Sequence, residues 1–220
     1  VIRMRVGGLH LTLNYLEESC LPTLDPLLGG IIQNMSLSLN GVHVSYSALW
    51  CSAKVDRDVP WRSLWALRTH ERLRLRIIID ALIAFQYGCS LIDYKYLLRG
   101  CDFPKGLVLD KGNSRSLDPK GFWRVDKGKD PELRHTVLSI IAFQDLIDRG
   151  LESFATQNQN EGWMLPETLR LADYGLGHDD RAKEHQPVAS RLGPRFYDWQ
   201  LEQDVDESWE ECRRHAELIR

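Results

Sequence analysis

The sequence predicts an α+β fold, with a small N-terminal β unit containing a hairpin followed by a mainly helical domain. Three observations lead there. Apolar and polar residues alternate with period 2 only before about residue 50. An Asn-Gly pair, Asn40-Gly41, sits between two such alternating runs. After Pro60 the spacing of large apolar residues changes to that of helices. A period of 2 places one face of a strand in a core, whereas a period near 3.6 does so for a helix.

Taken in order, Ile2-Arg3-Met4-Arg5-Val6 leads into Gly7-Gly8, and then Leu9, Leu11 and Leu13 alternate with His10, Thr12 and Asn14. That pattern predicts a half-buried strand, with the glycine pair permitting a sharp turn or close backbone approach. Leu21-Pro22 and Asp25-Pro26 interrupt it. Met35-Ser36-Leu37-Ser38-Leu39 and Val42-His43-Val44-Ser45-Tyr46 flank Asn40-Gly41, which predicts a two-residue hairpin turn. From Trp61 to Tyr87 a helix is expected, burying Leu75, Ile78, Leu82 and Phe85 and ending at Gly88. Ser90 and Asp93 have the spacing of a capping box that opens a short helix. Residues 101–129 are rich in Gly, Lys and Asp and predict a long loop, a length usual in functional or flexible segments. Asp130-Pro131-Glu132 opens another helix that Gly150 ends. A short helix is expected between Pro166 and Gly175, and a last one from about Asp206 to the terminus. The division expected on this basis is a β-containing end at 1–58 and a helical domain at 59–220.

Composition limits the function classes. Hydrophobic residues at 43% and charged residues at 27% belong to a folded globular chain. The most apolar stretch, Ile77 to Phe85, is interrupted by Asp80, far short of the roughly 20 apolar residues of a membrane helix. Five scattered cysteines without a Cys-x-x-Cys pair argue against a disulfide framework or a structural zinc site, and predict a reducing, cytoplasmic setting. The chain begins at Val1 with no processing signal, which predicts a piece of a longer polypeptide. The net charge of −3 is unevenly spread: +3 over residues 1–100, +1 over 101–150 and −7 over 151–220. Nucleic-acid contact is therefore expected from the first two-thirds.

Several patterns carry possible chemistry. No Pro-Pro pair occurs, so the loop with which amino-group methyltransferases hold an adenine amine is missing. No glycine-rich strand-to-helix turn suited to a nucleotide or adenosyl cofactor occurs either, so no catalytic residue and no cofactor are assigned to this chain. His178-Asp179-Asp180 near Glu184 and His185, and Cys212 one turn before His215, have ligand types for a divalent ion. The interleaved Arg181 and Lys183 mark the first group as a solvated loop, and no metal ligand is assigned. A stand-alone metal nuclease is the least favoured reading. Arg68, Arg72 and Arg76 line one side of the long helix. They could neutralise phosphates, but an ordinary solvated face, with Arg76 and Asp80 at i, i+4, is preferred for the row. Gly121-Phe122-Trp123-Arg124-Val125-Asp126-Lys127 sets cations beside aromatics, a pattern able to hold a phosphate backbone and stack on a base; the alternative, preferred for Trp123, is that Phe122 and Trp123 plug the core beneath the loop, with Arg124 and Lys127 left open.

Three stretches together resemble one family. Arg3-Met4-Arg5-Val6-Gly7-Gly8-Leu9-His10-Leu11, then Tyr15-Leu16-Glu17 and Leu21-Pro22, is similar to a "K/R-x-G-G-T-H-L … L-P" element. That element belongs to the target-recognition region of large single-chain adenine-N6 DNA methyltransferases. Arg72-Leu73-Arg74-Leu75-Arg76, Asp80-Ala81, Tyr87-Gly88 and Tyr96-Leu97-Leu98 resemble the helical segment that follows in those enzymes. Gly121 to Lys127, Pro131 to Thr136 and Gly162-Trp163-Met164-Leu165-Pro166 resemble the C-terminal continuation of one subgroup. Two positions depart from the pattern, Leu9 in place of Thr and Cys89 in place of Leu.

Enzymes of this family occur in restriction-modification and phage-exclusion (BREX-like or DISARM-like) systems. The resemblance implies an upstream methyltransferase domain that binds S-adenosylmethionine and flips adenine from the duplex. It implies that this chain supplies DNA binding and target recognition, with double-stranded DNA and the upstream domain as partners. Arg3, Arg5, His10, Asn14, Arg124 and Lys127 are the candidate DNA contacts. The alternative is a protein-interaction module, in which the acidic helix Asp206–Arg220 with Trp199 and Trp209 docks on another subunit of a DNA-modification or phage-defence complex.

Overall fold

A computed structural model describes residues 23, 26–53, 55, 57–98, 126, 128–177 and 180–220. Helices dominate, with one two-stranded antiparallel sheet, so the class is α+β as expected. The described helices, numbered along the chain, are α1 (Pro26–Asn40), α2 (Ser47–Ser52), α3 (Thr69–Gln86), α4 (Leu91–Leu97), α5 (His135–Arg149), α6 (Leu151–Thr156), α7 (Ala189–Leu192), α8 (Asp198–Glu202) and α9 (Val205–Ile219). Strands β1 (Thr168–Leu169) and β2 (Gln186–Pro187) pair Thr168 with Pro187 and Leu169 with Gln186. None of the described helices is long and apolar enough to cross a membrane.

The chain divides into two compact units. The first comprises Leu24–Ile79 and Ala189–Arg220; the second comprises Val1–Thr23 and Asp80–Val188. The chain therefore leaves the first unit within α3 and returns to it after β2.

In the first unit, α1 occupies the place of the expected hairpin. Residues 35–39 are helical, and Val44–Tyr46 form a 3-10 turn. The alternating run also fits a helix, because Leu28, Ile32, Met35 and Leu39 follow 4-3-4 spacing while Leu37 packs against the tryptophan cluster. Burial selects that set: Leu28 and Leu39 are buried, and Met35 packs with Leu39, Ala66, Leu75 and Ile79. Gly41 ends α1 instead of turning a hairpin. Its N–H donates to Leu37 O at 2.6 Å, and its own carbonyl accepts from Trp50 Nε1 at 2.8 Å. A Cβ at Gly41 would meet Leu37 O at 2.8 Å and Trp50 Nε1 at 3.0 Å, so only glycine fits. Beyond it, Trp50, Trp61, Trp209 and Cys212 form a core that Leu37, Val44, Cys51 and Trp65 complete. Helix α9 closes this core with its apolar stripe, while its N-terminus is capped by Asp204.

The long helix starts later than the spacing predicts. Trp61–Leu64 is a 3-10 turn, and α3 runs from Thr69 to Gln86. Its stripe is as expected at Leu75, Ile78 and Leu82, but Phe85 is 38% exposed.

In the second unit, α5 is buried on most of its circumference through Val137, Leu138, Ile140, Ile141, Ala142, Phe143 and Leu146. Gly150 ends it with φ 79°, as the sequence predicts. The expected capping box opens α4: Asp93 N–H donates to Ser90 Oγ, and Ser90 N–H donates to Asp93 Oδ2. Tyr94 of α4 lies on Phe143, with ring centroids 4.6 Å apart. Pro131–Leu133 is a 3-10 turn, so α5 begins at His135, not at Asp130. Its cap comes from a distance. The buried Asp126 carboxylate accepts from His135 N, Thr136 N and Thr136 Oγ1 at 3.0, 2.8 and 2.7 Å. The segment between Pro166 and Gly175 holds β1 and a 3-10 turn, Leu171–Tyr174, where a short helix was expected.

Candidate nucleic-acid interface

Within the first unit, residues 66–79 and 189–197 bring six arginines (68, 72, 74, 76, 191 and 195) against one carboxylate, Glu71. The later part of the same unit is acidic, with Asp198, Glu202, Asp204, Asp206, Glu207, Glu210, Glu211 and Glu217 facing only three arginines. Charge is thus segregated along this unit's sequence, as in proteins that present one basic face to phosphate.

Packing explains how the basic residues meet. His70 Nδ1 lies 3.0 Å from Gly193 O, and Gly193 takes φ 80° at the turn that reverses the chain. Arg195 Nε donates to Glu71 Oε2 at 2.8 Å. Arg74, on the turn after Glu71, donates to the same carboxylate from Nε at 3.0 Å and from Nη2 at 2.8 Å. Glu71 and Arg74 are buried. Burial alone would raise the Glu71 carboxyl, but the Arg74 hydrogen bond and the charges of Arg74 and Arg195 outweigh it and hold it below its usual value.

Aromatic rings adjoin that triad. The Arg68 guanidinium lies 3.6 Å above the Tyr197 ring. Tyr197 is stacked on Trp199, with centroids 6.2 Å apart and planes 14° from parallel. Tyr197 and Trp199 are 36% and 43% exposed, so the pair offers a ring surface to solvent. Arg195 also lies over Phe196 at 4.7 Å. The backbone beneath is fixed by Gln200, whose buried amide donates to Arg62 O and Trp65 O and whose oxygen accepts from Tyr197 N. Exposed stacked rings beside an arginine cluster suit a sugar-phosphate backbone and an unstacked base.

The expected arginine row divides by role. Arg72 turns inward, donating from Nη1 to Leu39 O and Ala66 O at 2.8 Å each. It stabilises the C-terminal end of α1, where a cation opposes the helix dipole. Arg68 holds Tyr197, and Arg76 is exposed. Asp80, expected beside Arg76, has Oδ2 2.7 Å from His135 Nε2 instead. The six residues chosen from the sequence, Arg3, Arg5, His10, Asn14, Arg124 and Lys127, lie outside the described residues. Arg195, Tyr197 and Trp199 were not chosen as DNA contacts. Arg195 and Tyr197 stand more than 120 residues from their partners Glu71 and Arg68, and no local pattern marks such a meeting.

Two other places have polar chemistry. A cleft of about 260 Å³ beside α5 is lined by Asp145, Asp148, Gln157, Trp163 and Tyr174 among others. Its carboxylates are already engaged: Asp145 accepts from Arg149 and Gln157, and Asp148 from Gln144. They serve structure there, holding the residues of the cleft wall to each other. Of the metal-like cluster, His178 and Asp179 lie outside the described residues. Among the described residues no group of three His, Cys, Asp or Glu is placed to hold an ion. Compared with known proteins, the chain matches no family model, no curated protein sequence and no solved structure.

Proposed function

We propose that this chain binds DNA and reads a target as part of an adenine-N6 DNA methyltransferase, with the methyl-transfer chemistry and S-adenosylmethionine in another domain. The observation that carries the binding half is the face built by Arg68, Tyr197, Trp199 and the Glu71–Arg74–Arg195 triad. The methyltransferase half rests on the sequence resemblance. In this reading Arg68 and the exposed Arg76 neutralise phosphates, the largely buried triad holds the segment that carries Tyr197 in place, and Trp199 stacks on a base or sugar at the edge of the contact.

The docking alternative loses one of its two anchors. Trp209 is 9% exposed and donates from Nε1 to Val59 O at 2.9 Å, so it is core. Trp199 is compatible with either reading.

The test is fluorescence anisotropy of a labelled 20-base-pair duplex and of its single strand, over a salt series. Trp199→Ala should weaken binding by about 1–3 kcal/mol where a base stacks on it. Arg76→Ala should weaken all sequences alike, reducing the salt slope by about 0.9 if it meets one phosphate. Absence of binding at low salt, or affinity indifferent to both substitutions, would sink the proposal and favour docking on protein.

A further inference from the structure

Two cysteines from distant parts of the chain meet in the first unit. Cys51, near the end of α2, and Cys212, in the middle of α9, have sulfurs 3.5 Å apart although 161 residues separate them. The two are unlike in access. Cys212 is fully buried among Trp50, Trp61 and Trp209, and its thiol donates weakly to Ser47 O at 3.7 Å. Cys51 is half-buried and lies beside Arg57, whose Nη2 donates to the Cys51 carbonyl at 3.3 Å. A disulfide needs sulfurs about 2.05 Å apart, so closing the pair calls for an approach of about 1.5 Å, within reach of side-chain rotation.

From this placement we infer that Cys51 and Cys212 form a reversible disulfide, a redox modification site that staples α2 to α9. The oxidant is a small-molecule disulfide of the glutathione type. Cys51, the accessible partner, attacks it as thiolate, forms a mixed disulfide and releases one thiolate of the oxidant. Cys212 then loses its proton and attacks the Cys51 sulfur. The mixed bond breaks, the Cys51–Cys212 bond forms, and the second thiolate leaves. The protein has lost two protons and two electrons, and the oxidant has become two thiols.

The resting pair is stable as thiols until Cys51 reacts. Burial first, then the hydrogen bond and charge of Cys51, push the Cys212 thiol well up, while Arg57 opposes them. Conversion of Cys51 to a mixed disulfide removes its thiol and with it the hydrogen bond and charge that raise Cys212, which makes Cys212 easier to ionise at the moment it must attack. The same geometry limits the side reaction, because Cys212 stands next to Cys51 and reaches the mixed disulfide ahead of any external thiol.

The whole chain, incubated with excess oxidised glutathione, should lose two alkylatable thiols and two hydrogens of mass. Fragmentation mass spectrometry should place the crosslink between Cys51 and Cys212, and dithiothreitol should remove it. The thermal midpoint of the oxidised form should rise by about 5 °C or more, since a long loop is closed. Cys51→Ser, a mild change at a half-exposed position, should abolish both the crosslink and the shift. A different pairing, a persistent glutathione adduct on Cys51, failure to oxidise, or a crosslink that lowers the midpoint would each overturn the inference. The wild-type readings decide the matter without Cys212→Ser, whose buried hydroxyl could itself disturb folding.

Discussion

The two units are held together by different physics. The second is centred on α5, a mainly aliphatic helix buried on most sides, with Ser139 also buried within it. The first adds to an aliphatic cluster around Leu39, Ala66 and Leu75 a second core made of tryptophans, with Trp61 edge-on to Trp65 at 5.2 Å and Trp209 tied to Val59 O. It also holds an ion triad, Glu71–Arg74–Arg195, of which Glu71 and Arg74 are buried, whereas in the second the buried Glu132 pairs with the more exposed Arg181. An aliphatic core tolerates small changes of shape. A core of large rings, two of them tied by their N–H donors (Trp50 to Gly41 O and Trp209 to Val59 O), next to buried charges, tolerates less. The exposed basic-aromatic face lies in this more exacting unit, as expected where side chains must be held in place to read a ligand.

The comparison can be broken most sharply at Trp50. It is fully buried and donates to Gly41 O, so Trp50→Ala removes a ring and orphans a helix-ending carbonyl. The expected cost is about 3–5 kcal/mol. Urea unfolding followed by hydrogen exchange should locate the loss in residues 24–79 and 189–220; uniform loss across both units would mean that they share one cooperative core.

Glu71 comes next. Glu71→Ala removes the carboxylate that the buried Arg74 and the half-buried Arg195 share, at a cost of about 3 kcal/mol or more. The same carboxylate gives the first unit an acid sensitivity. Its folded value lies below the ordinary 4.5, so the folded state binds protons less readily than the unfolded state. The stabilisation is complete above pH 4.5 and is lost as pH falls from there through the folded value. Stability of wild type and Glu71→Gln, measured from pH 7 to 3, should therefore converge at the acid end. Parallel curves would show that the triad contributes nothing to acid sensitivity.

In the second unit the informative change is Asp126→Ala, which frees His135 N, Thr136 N and Thr136 Oγ1 at the start of α5. About 1–3 kcal/mol should be lost, with amide protection falling first at the beginning of α5. The smallest effect is expected at a turn after α6. Asn158, Gln159 and Asn160 all take left-handed backbone, with φ 55°, 60° and 71°. Gln159 is exposed, and left-handed backbone costs about 1–2 kcal/mol at a non-glycine residue. Gln159→Gly relieves that strain but adds freedom to the unfolded chain, so a net gain of about 0.5 kcal/mol is expected. A loss would show that the Gln159 side chain holds the turn.

What could be read from the sequence was local. The Ser90-Asp93 capping box, the glycine stop after Arg149 and the Leu75, Ile78, Leu82 stripe each depend on residues within one or two turns, and all stand in the structure. The alternating leucines at 35–39 failed because five residues fit both periods, and the burial of Leu28 one helical set earlier decided between them. Asp126 capping α5 from nine residues upstream could be reached only after folding, since the Asp130-Pro131 start nearby was the better local signal.

The helical character after Pro60 was thus determined by the order of residue types along the chain, through backbone preference and periodic burial, whereas the described sheet pairs Thr168–Leu169 with Gln186–Pro187, where no strand was expected. The tertiary structure decided which polar groups meet. Arg195 on Glu71, Arg68 on Tyr197 and Cys51 beside Cys212 are each separated by more than 120 residues, so no local spacing encodes them. Those meetings follow from packing α3 and α9 against segments remote in sequence, where burial of charge and ring makes only one partner suitable.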